Sequence, residues 1–262
     1  MLGCRAIYSA KHLLALLSYK LLLMQNVQIV VISLSRAHSR REKVILELGK
    51  TKLDWQFLDA IDGSQLSMPI PAYSDQKVRR LLGFSLTLAE LGCFLSHQAA
   101  WMHCLDSKET TLIFEDDFVL SPSFENDLAS ILDHAAQWDL LRLQGLVDLS
   151  FTSVGTVGRY QLVHNHGDPL GATAYLVKPS AAAMLLTHSQ SIFEPLDHYL
   201  EHEKVHGVRM LAMKPYPIWT NGLTSTISDR PDRQVISGHQ KRIRSFWRWL
   251  DRLMNPHPWF PK

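Results

Sequence analysis

Three consecutive acids, Glu115, Asp116 and Asp117, stand between apolar runs in the stretch TLIFEDDFVL at residues 111–120. Adjacent carboxylates repel one another, and burial raises the cost of ionising each of them. In a strand, Glu115 and Asp117 share one face and Asp116 takes the other. At the carboxyl end of a sheet strand, such a pair can hold a hard divalent cation. The alternative is an exposed strand end that caps the next helix, but the apolar flanks favour the cation site.

Arginines follow the first apolar run of the chain, in the segment LSRAHSRR, which contains Arg36, Arg40 and Arg41. Guanidinium groups beside a helix N-terminus favour phosphate binding, because bidentate donors and unpaired backbone N–H groups act together. The alternative is ordinary solvated helix charge. No glycine-rich nucleotide fingerprint accompanies them in the sequence. Together with a cation site at the same sheet edge, the arginines indicate a ligand that carries a diphosphate.

The segment ELGCFLSHQAAW is predicted to be helical and places Glu90, Cys93 and His97 on one side. A nucleophilic triad with Ser96 is disfavoured, because residues on one helix face are badly placed to converge. Zinc binding is also disfavoured, because no second Cys/His pair stands at ligand spacing. His97 is therefore predicted to be either a packed core histidine or a donor to a bound ligand.

The elements that position these residues follow an α/β pattern. VQIVVISL predicts a strand buried on both faces, a helix ends near Gly49, and WQFLDAI predicts a second strand. Residues 63–86 lack periodicity and are predicted to form a long loop. Thr87 and Glu90 form a capping box that starts a helix running to about Asp106. The remaining pattern predicts strands at 138–143, 158–163, 172–178 and 208–214, and helices at 121–137, 180–189 and 195–203.

The amino-acid composition argues against two classes of protein. The chain has 262 residues, 46% of them hydrophobic, and its 27 basic and 25 acidic residues give a net charge of +2. This balance argues against a nucleic-acid-binding protein. The cysteines are few and odd in number (Cys4, Cys93 and Cys104), which argues against a disulfide scaffold and favours a reducing, cytoplasmic setting.

The two ends of the chain differ from its centre. Residues 1–26 are predicted to be an N-terminal extension, either upstream of a true start at Met24 or a surface helix, because the run Leu13–Leu23 is broken by Lys20 and is too short to span a bilayer. Residues 27–237 are predicted to form the main domain. Residues 238–262 form a basic tail with an apolar helical stripe, which predicts an in-plane membrane helix or, alternatively, a helix packed on the core. The stripe consists of Ile243, Phe246, Trp247, Leu250 and Leu253.

Several motifs, in order, resemble glycosyltransferase family 25, which includes bacterial lipopolysaccharide and lipooligosaccharide galactosyltransferases and collagen galactosyltransferases. They are VISLSRAHSRR, FLDAIDG, LAELGCFLSH, LIFEDD, WDLLRL, GATAYLVKPSAAAMLL and PLDHYL. The resemblance covers roughly residues 27–220. It implies a GT-A-like nucleotide-sugar-binding fold, with a mainly parallel central sheet flanked by helices.

The resemblance also implies roles for individual residues. Glu115 and Asp117 are expected to hold Mn²⁺ or Mg²⁺ against the diphosphate of a UDP-sugar donor. Asp197 is expected to be the catalytic base, with a helix-capping role as its alternative and with Glu201 and Asp168 as the next candidates. The residues expected to bind the donor are Ser33, Arg36, Arg40, Asp62, Glu90, His97 and Asp116.

The expected activity is inverting, metal-dependent transfer of a hexose, as by a β-galactosyltransferase using UDP-galactose, to a lipopolysaccharide or lipooligosaccharide acceptor. The expected location is cytoplasmic, at the inner leaflet of the cytoplasmic membrane. Two other classes fit acids near arginines: a Mg²⁺-dependent phosphohydrolase, and a sugar-nucleotide-binding protein without catalytic activity.

Overall fold

The computed structural model describes residues 26–220. The predicted extension, apart from residue 26, and the whole predicted tail lie outside the described residues. An eight-stranded sheet has the order β2-β1-β3-β8-β5-β9-β7-β6, and β4 and β10 form a separate antiparallel pair. The strands are β1 (Val27–Ser33), β2 (Gln56–Asp59), β3 (Thr110–Glu115), β4 (Phe118–Leu120), β5 (Leu140–Arg142), β6 (Phe151–Val157), β7 (Tyr160–Asn165), β8 (Ala174–Val177), β9 (Met210–Lys214) and β10 (Ile218–Thr220).

Helices cover both faces of the sheet. Six of its eight strands run in one direction, and β7 and β8 run in the other. Among the described residues, no helix is long and apolar enough to cross a membrane. The helices are α1 (His38–Leu48), α2 (Asp75–Leu82), α3 (Leu88–Ser107), α4 (Phe124–Asp133), α5 (Pro179–His188), α6 (Leu196–Leu200) and α7 (Glu203–His206), with 3-10 turns at Gly63–Gln65 and Ala135–Gln137.

The apolar side chains of the sheet divide into two cores, one on each face. Val31 and Phe114 are paired neighbours on β1 and β3 and pack with α1 and α4. Val30 and Ile113, the preceding pair, pack on the opposite face with α2, α3, α5 and α6. Because a strand buried on both faces must be apolar throughout, this arrangement explains the continuous apolar run of β1. The predicted α/β class, with a mainly parallel sheet flanked by helices, is confirmed.

The predicted capping box at the start of α3 is also confirmed. Thr87 Oγ1 accepts a hydrogen bond from the Glu90 backbone N–H at 3.2 Å, and Glu90 Oε2 accepts one from the Thr87 backbone N–H at 2.9 Å. The helix ends at Ser107, one residue beyond the predicted end. The Glu90 carboxylate is therefore committed to the helix terminus.

The predicted loop at residues 63–86 is wrong in part, since it contains a 3-10 turn and the eight-residue helix α2. Val78 and Leu81 are buried on one side of α2, and Gly83 ends the helix in the left-handed conformation, with φ of 85°. Tertiary packing stabilises a helix too short to show clear periodicity. The helix predicted at residues 121–137 ends earlier, at Asp133, and continues as a 3-10 turn.

Candidate functional site

A cleft of about 490 Å³ opens at the carboxyl ends of β1 and β3. The start of α1, the segment after β2 and the first turns of α3 form its walls. Most of the predicted site residues line it: Ser33, Arg36, Arg40, Asp62, His97, Glu115, Asp116 and Asp117. Glu90 and Asp197 are not among the described residues that line the cleft.

Two glycines allow the segment after β2 to lie directly on α3. A Cβ atom on Gly92 would lie 2.6 Å from the Ile61 carbonyl oxygen, and one on Gly63 would lie 2.4 Å from that of Leu88. Ser96 reinforces the contact, because its hydroxyl accepts from the Ile61 N–H at 2.8 Å and donates to the Gly92 carbonyl at 2.6 Å. Ser96 therefore holds the cleft wall in place.

The three adjacent acids occupy three different environments. β3 ends at Glu115, so Asp116 and Asp117 lie in a turn before β4 rather than in the strand itself. Asp116 is buried and fully engaged, since Arg40 Nη1 lies 2.6 Å from one carboxylate oxygen and Ser33 Oγ donates to the other at 2.7 Å. This ion pair neutralises the middle acid.

Asp117 is the uncompensated acid of the three. Its Oδ1 is buried, and no group within residues 26–220 donates a hydrogen bond to it. Burial and the nearby charge of Glu115 outweigh the influence of Arg40 and raise the pKa of Asp117 to about 6. An unsatisfied carboxylate oxygen beside a second carboxylate is what a hard divalent cation requires. Glu115 and Asp117 therefore fit Mn²⁺ or Mg²⁺.

Glu115 faces the α3 side of the cleft. Its Oε1 lies 3.4 Å from His97 Nε2 and 3.8 Å from Cys93 Sγ, and Thr173 Oγ1 lies 3.5 Å from Oε2. Burial alone would raise the pKa of Glu115, but His97, together with the contacts from Cys93 and Thr173, outweighs burial and lowers it. The carboxylate is therefore ionised at neutral pH.

His97 is fully buried, and its two ring nitrogens differ. Nδ1 lies 2.8 Å from Tyr175 Oη, to which Trp101 Nε1 also donates at 2.9 Å. Nε2 points towards Glu115 but has no hydrogen-bond partner in the described part of the chain. His97 is thus held by its inner nitrogen and presents the outer one at the cleft.

The predicted phosphate-binding arginines are paired with carboxylates. Arg36 donates to Asp62 from Nε at 2.5 Å and from Nη2 at 3.0 Å. Arg36 and Ser64 together hold the pKa of Asp62 well below its usual range. The Arg36 side chain is nevertheless 64% exposed, and the start of α1 has no side-chain cap. An incoming anion can therefore reach both the guanidinium and the helix terminus.

A second group of charges surrounds the end of β5. Arg142, buried, forms an ion pair with Glu201 and donates to the Gly171 carbonyl at 2.5 Å. Burial raises the pKa of Glu201 to about 7 against the opposing effect of Arg142, and the charges of Asp168 and Asp197 add to the rise. The three carboxylates proposed as bases therefore lie near enough for their charges to interact. Asp197 lies in the first turn of α6, and one of its oxygens accepts from the His198 N–H at 3.1 Å.

Four buried residues that contact the candidate site residues were not predicted from the sequence to do so. They are Arg142, which pairs with Glu201, Thr173, which contacts Glu115, Tyr175, which contacts His97, and Trp101, which donates to Tyr175. An arginine inside the apolar run WDLLRL is an available signal, because a charge in a buried strand requires a partner. The tyrosine in ATAYLVK carries no comparable signal, since tyrosine is also common in half-buried strands.

Comparison with known proteins agrees with the motif resemblance. A family model described as glycosyltransferase family 25 (LPS biosynthesis protein) matches residues 26–200. A "Glycosyltransferase 25 family member" of Drosophila melanogaster is 27% identical over 240 residues, which cover 80% of this chain and 38% of the relative. Human "Procollagen galactosyltransferase 2" is 30% identical over 128 residues, which cover 44% of this chain and 20% of the relative.

Family membership alone does not establish activity. Human "Inactive glycosyltransferase 25 family member 3" is also 30% identical, over 130 residues that cover 44% of this chain and 21% of the relative. The chain spans only between 20% and 38% of the length of these curated relatives. Any conclusion about activity therefore depends on the residues that line the cleft.

Proposed function

Because the chain belongs to glycosyltransferase family 25, we propose that it is a metal-dependent, inverting hexosyltransferase. The proposed donor is UDP-galactose, and the proposed acceptor is lipopolysaccharide or lipooligosaccharide. The family description and the galactosyltransferase name of one human relative support the choice of acceptor and sugar. The observation that carries the proposal is the unpartnered, buried Oδ1 of Asp117 beside Glu115, at the sheet edge where α/β folds bind ligands.

The donor is proposed to lie along the start of α1. Its diphosphate competes with Asp62 for the exposed guanidinium of Arg36 and accepts hydrogen bonds from the first turn of α1. Arg40 and Ser33 act differently, because they hold Asp116. They keep the middle acid neutralised, so that only its two neighbours face a cation. Glu90 is proposed to support the site by fixing the start of α3.

Glu115 and Asp117 are proposed to hold the Mn²⁺ or Mg²⁺. When bound, such an ion supplies positive charge that stabilises a departing diphosphate. The cost of keeping Asp117 ionised in a buried position is then offset by the cation. His97 is proposed to bound the site at its inner end, where its Nε2 lies 3.4 Å from Glu115 Oε1.

Asp197 is proposed to be the general base that removes the proton from the acceptor hydroxyl. Inversion by single displacement requires one such base on the side opposite the leaving group. Asp197 is only half-buried, whereas Glu201 is committed to Arg142. Asp168 is exposed and remains the other candidate.

The protein is further proposed to act at the inner leaflet of the cytoplasmic membrane, where a lipid-anchored acceptor is present. The basic tail at residues 238–262 supports this proposal through its sequence alone, since aromatic residues beside arginines favour an anionic lipid surface.

A panel of UDP-sugars, with and without Mn²⁺, tests the proposed function. UDP and inorganic phosphate are measured separately, with lipooligosaccharide present or omitted. We expect UDP release that requires the acceptor and the metal and is greatest with UDP-galactose. Phosphate release without an acceptor indicates a phosphohydrolase. Binding of UDP-galactose by calorimetry, without turnover of any sugar in the panel, indicates a binding protein related to the inactive family members.

A further inference from the structure

Three side chains of different chemistry meet at the inner end of the cleft. Cys93 and His97 stand one turn apart on α3, and Glu115 ends β3 opposite them. Their ligand atoms, one from each residue, all lie within 4.8 Å of one another. We propose that Cys93, His97 and Glu115 form a Zn²⁺ site, separate from the Mn²⁺ or Mg²⁺ position at Asp117 and sharing Glu115 with it.

Two of the three donor separations are close to those of tetrahedral coordination. Glu115 Oε1 lies 3.4 Å from His97 Nε2 and 3.8 Å from Cys93 Sγ. Bonds of about 2.0–2.3 Å at tetrahedral angles separate neighbouring donors by about 3.3–3.8 Å. The site therefore forms with shifts of only a few tenths of an ångström in these two separations.

His97 supplies an independent indication of a ligand. Its side chain is fully buried, yet Nε2 makes no hydrogen bond within residues 26–220. Glu115 Oε1 approaches it to 3.4 Å without hydrogen-bond geometry, and a buried imidazole nitrogen that makes no hydrogen bond is unfavourable unless something binds it. The inner nitrogen has the partner that a metal-binding histidine needs: in the tautomer with its proton on Nδ1, His97 donates to Tyr175 Oη and directs the Nε2 lone pair at the cleft.

The donor set favours zinc over the hard cations. Thiolate and imidazole prefer Zn²⁺, whereas carboxylate oxygens without them suit Mg²⁺ and Mn²⁺. Binding releases the Cys93 thiol proton to solvent, and the thiolate and the Glu115 carboxylate together neutralise the ion. All three residues line the cleft, so a fourth coordination position faces solvent. Three protein ligands and one open position are typical of zinc sites that exchange a water molecule.

Co²⁺ is a suitable probe, because its thiolate complexes absorb in the near ultraviolet. Cys4→Ser is introduced into the full chain, so that Cys93 and Cys104 are the only cysteines present. Cys104 is the matched control: it is buried on the same helix and contacts the Glu109 and Val177 carbonyls instead. We expect Co²⁺ alone to produce the absorption band, Zn²⁺ to abolish it at one equivalent, and millimolar Mg²⁺ to leave it unchanged.

Cysteine variants show which thiolate gives rise to the Co²⁺ absorption band. Cys93→Ser is expected to lose it and Cys104→Ser to retain it, with circular dichroism confirming the fold of both. Tyr175→Phe is expected to weaken Zn²⁺ binding about 10- to 100-fold, since it removes the acceptor for Nδ1. X-ray absorption at the zinc edge provides a readout without any variant at the site, and one sulfur at about 2.3 Å is expected. A spectrum without sulfur, or a band that survives Cys93→Ser, overturns the proposal.

Discussion

Replacing Asp117 by asparagine is expected to stabilise the metal-free protein while removing its activity. The pKa of Asp117 is about 6, against an ordinary value of 3.8. A difference of about 2 pKa units, at about 1.4 kcal/mol each, means that the fold loses about 3 kcal/mol by holding the ionised carboxylate at neutral pH. Asparagine has the same shape without the charge, so Asp117→Asn recovers up to about 3 kcal/mol, or about 6–12 °C in Tm for a domain of this size.

The gain depends on pH in a defined direction. Well below pH 4, the carboxyl is protonated in both the folded and the unfolded chain, and wild type and variant differ little in stability. Between about pH 4 and pH 6 the unfolded chain ionises first, so the destabilisation of the wild type grows. Well above pH 6, the destabilisation of the wild type no longer changes with pH. Urea unfolding with a chelator present measures the stability difference between wild type and Asp117→Asn. The difference is expected to be small at pH 4 and to reach its full value at pH 8.

Asp116→Asn is the matched control, because it makes the same chemical change one residue away. This substitution breaks the pair with Arg40, whose side-chain exposure is 16% against 10% for Asp116, and it is expected to cost about 3 kcal/mol. Adjacent substitutions therefore shift stability in opposite directions. With Mn²⁺ added, wild type is expected to gain stability and Asp117→Asn is not. Equal stability changes for Asp117→Asn at pH 4 and pH 8, or a loss at pH 8 in chelator, refutes this reasoning.

The remaining predictions concern the base, the buried ion pair and the tail. Asp197→Asn is expected to lower turnover by orders of magnitude with little change in UDP-sugar affinity, measured by kinetics and calorimetry; parallel loss of both assigns Asp197 to the donor site or the fold. Arg142→Met leaves Glu201 buried without its partner and is expected to cost about 3–5 kcal/mol in urea unfolding, against little effect of Arg209→Met at the surface. Truncation before Gly238 is expected to abolish binding to anionic vesicles while transfer to short soluble acceptors continues; unchanged vesicle binding, or aggregation, shows instead that the tail packs on the core.

Local patterns were sufficient to predict much of the fold. β1 is apolar on both faces, α3 begins with a capping box, and the acid triplet marks the end of β3 and the turn after it, so each can be recognised from a few neighbouring residues. β6 could not be predicted in this way, because its side chains are mostly exposed and it is held by pairing with β7. The short helix α2 likewise depends on packing rather than on its own eight residues.

The sequence predicts which residues lie near the cleft, but it does not predict how they pair. Sequence spacing places Glu115 and Asp117 beside arginines, yet it cannot show that Arg40 is paired with Asp116, 76 residues away. The same limit applies to Cys93 and His97. Their helix places both side chains on one side, and zinc was disfavoured because the sequence offers no second pair at ligand spacing. Glu115 comes from a strand that only the folded chain brings opposite them.

The most direct test of the central claim is mass spectrometry of a lipooligosaccharide acceptor incubated with UDP-galactose, Mn²⁺ and the full chain. We predict that the acceptor gains one hexose with the wild-type protein, and that it gains none with folded Asp117→Asn or when a chelator replaces the metal. Unmodified acceptor after incubation of the wild type with each UDP-sugar in turn, or hexose addition by folded Asp117→Asn, contradicts the account of a metal-dependent hexosyltransferase built around Asp117.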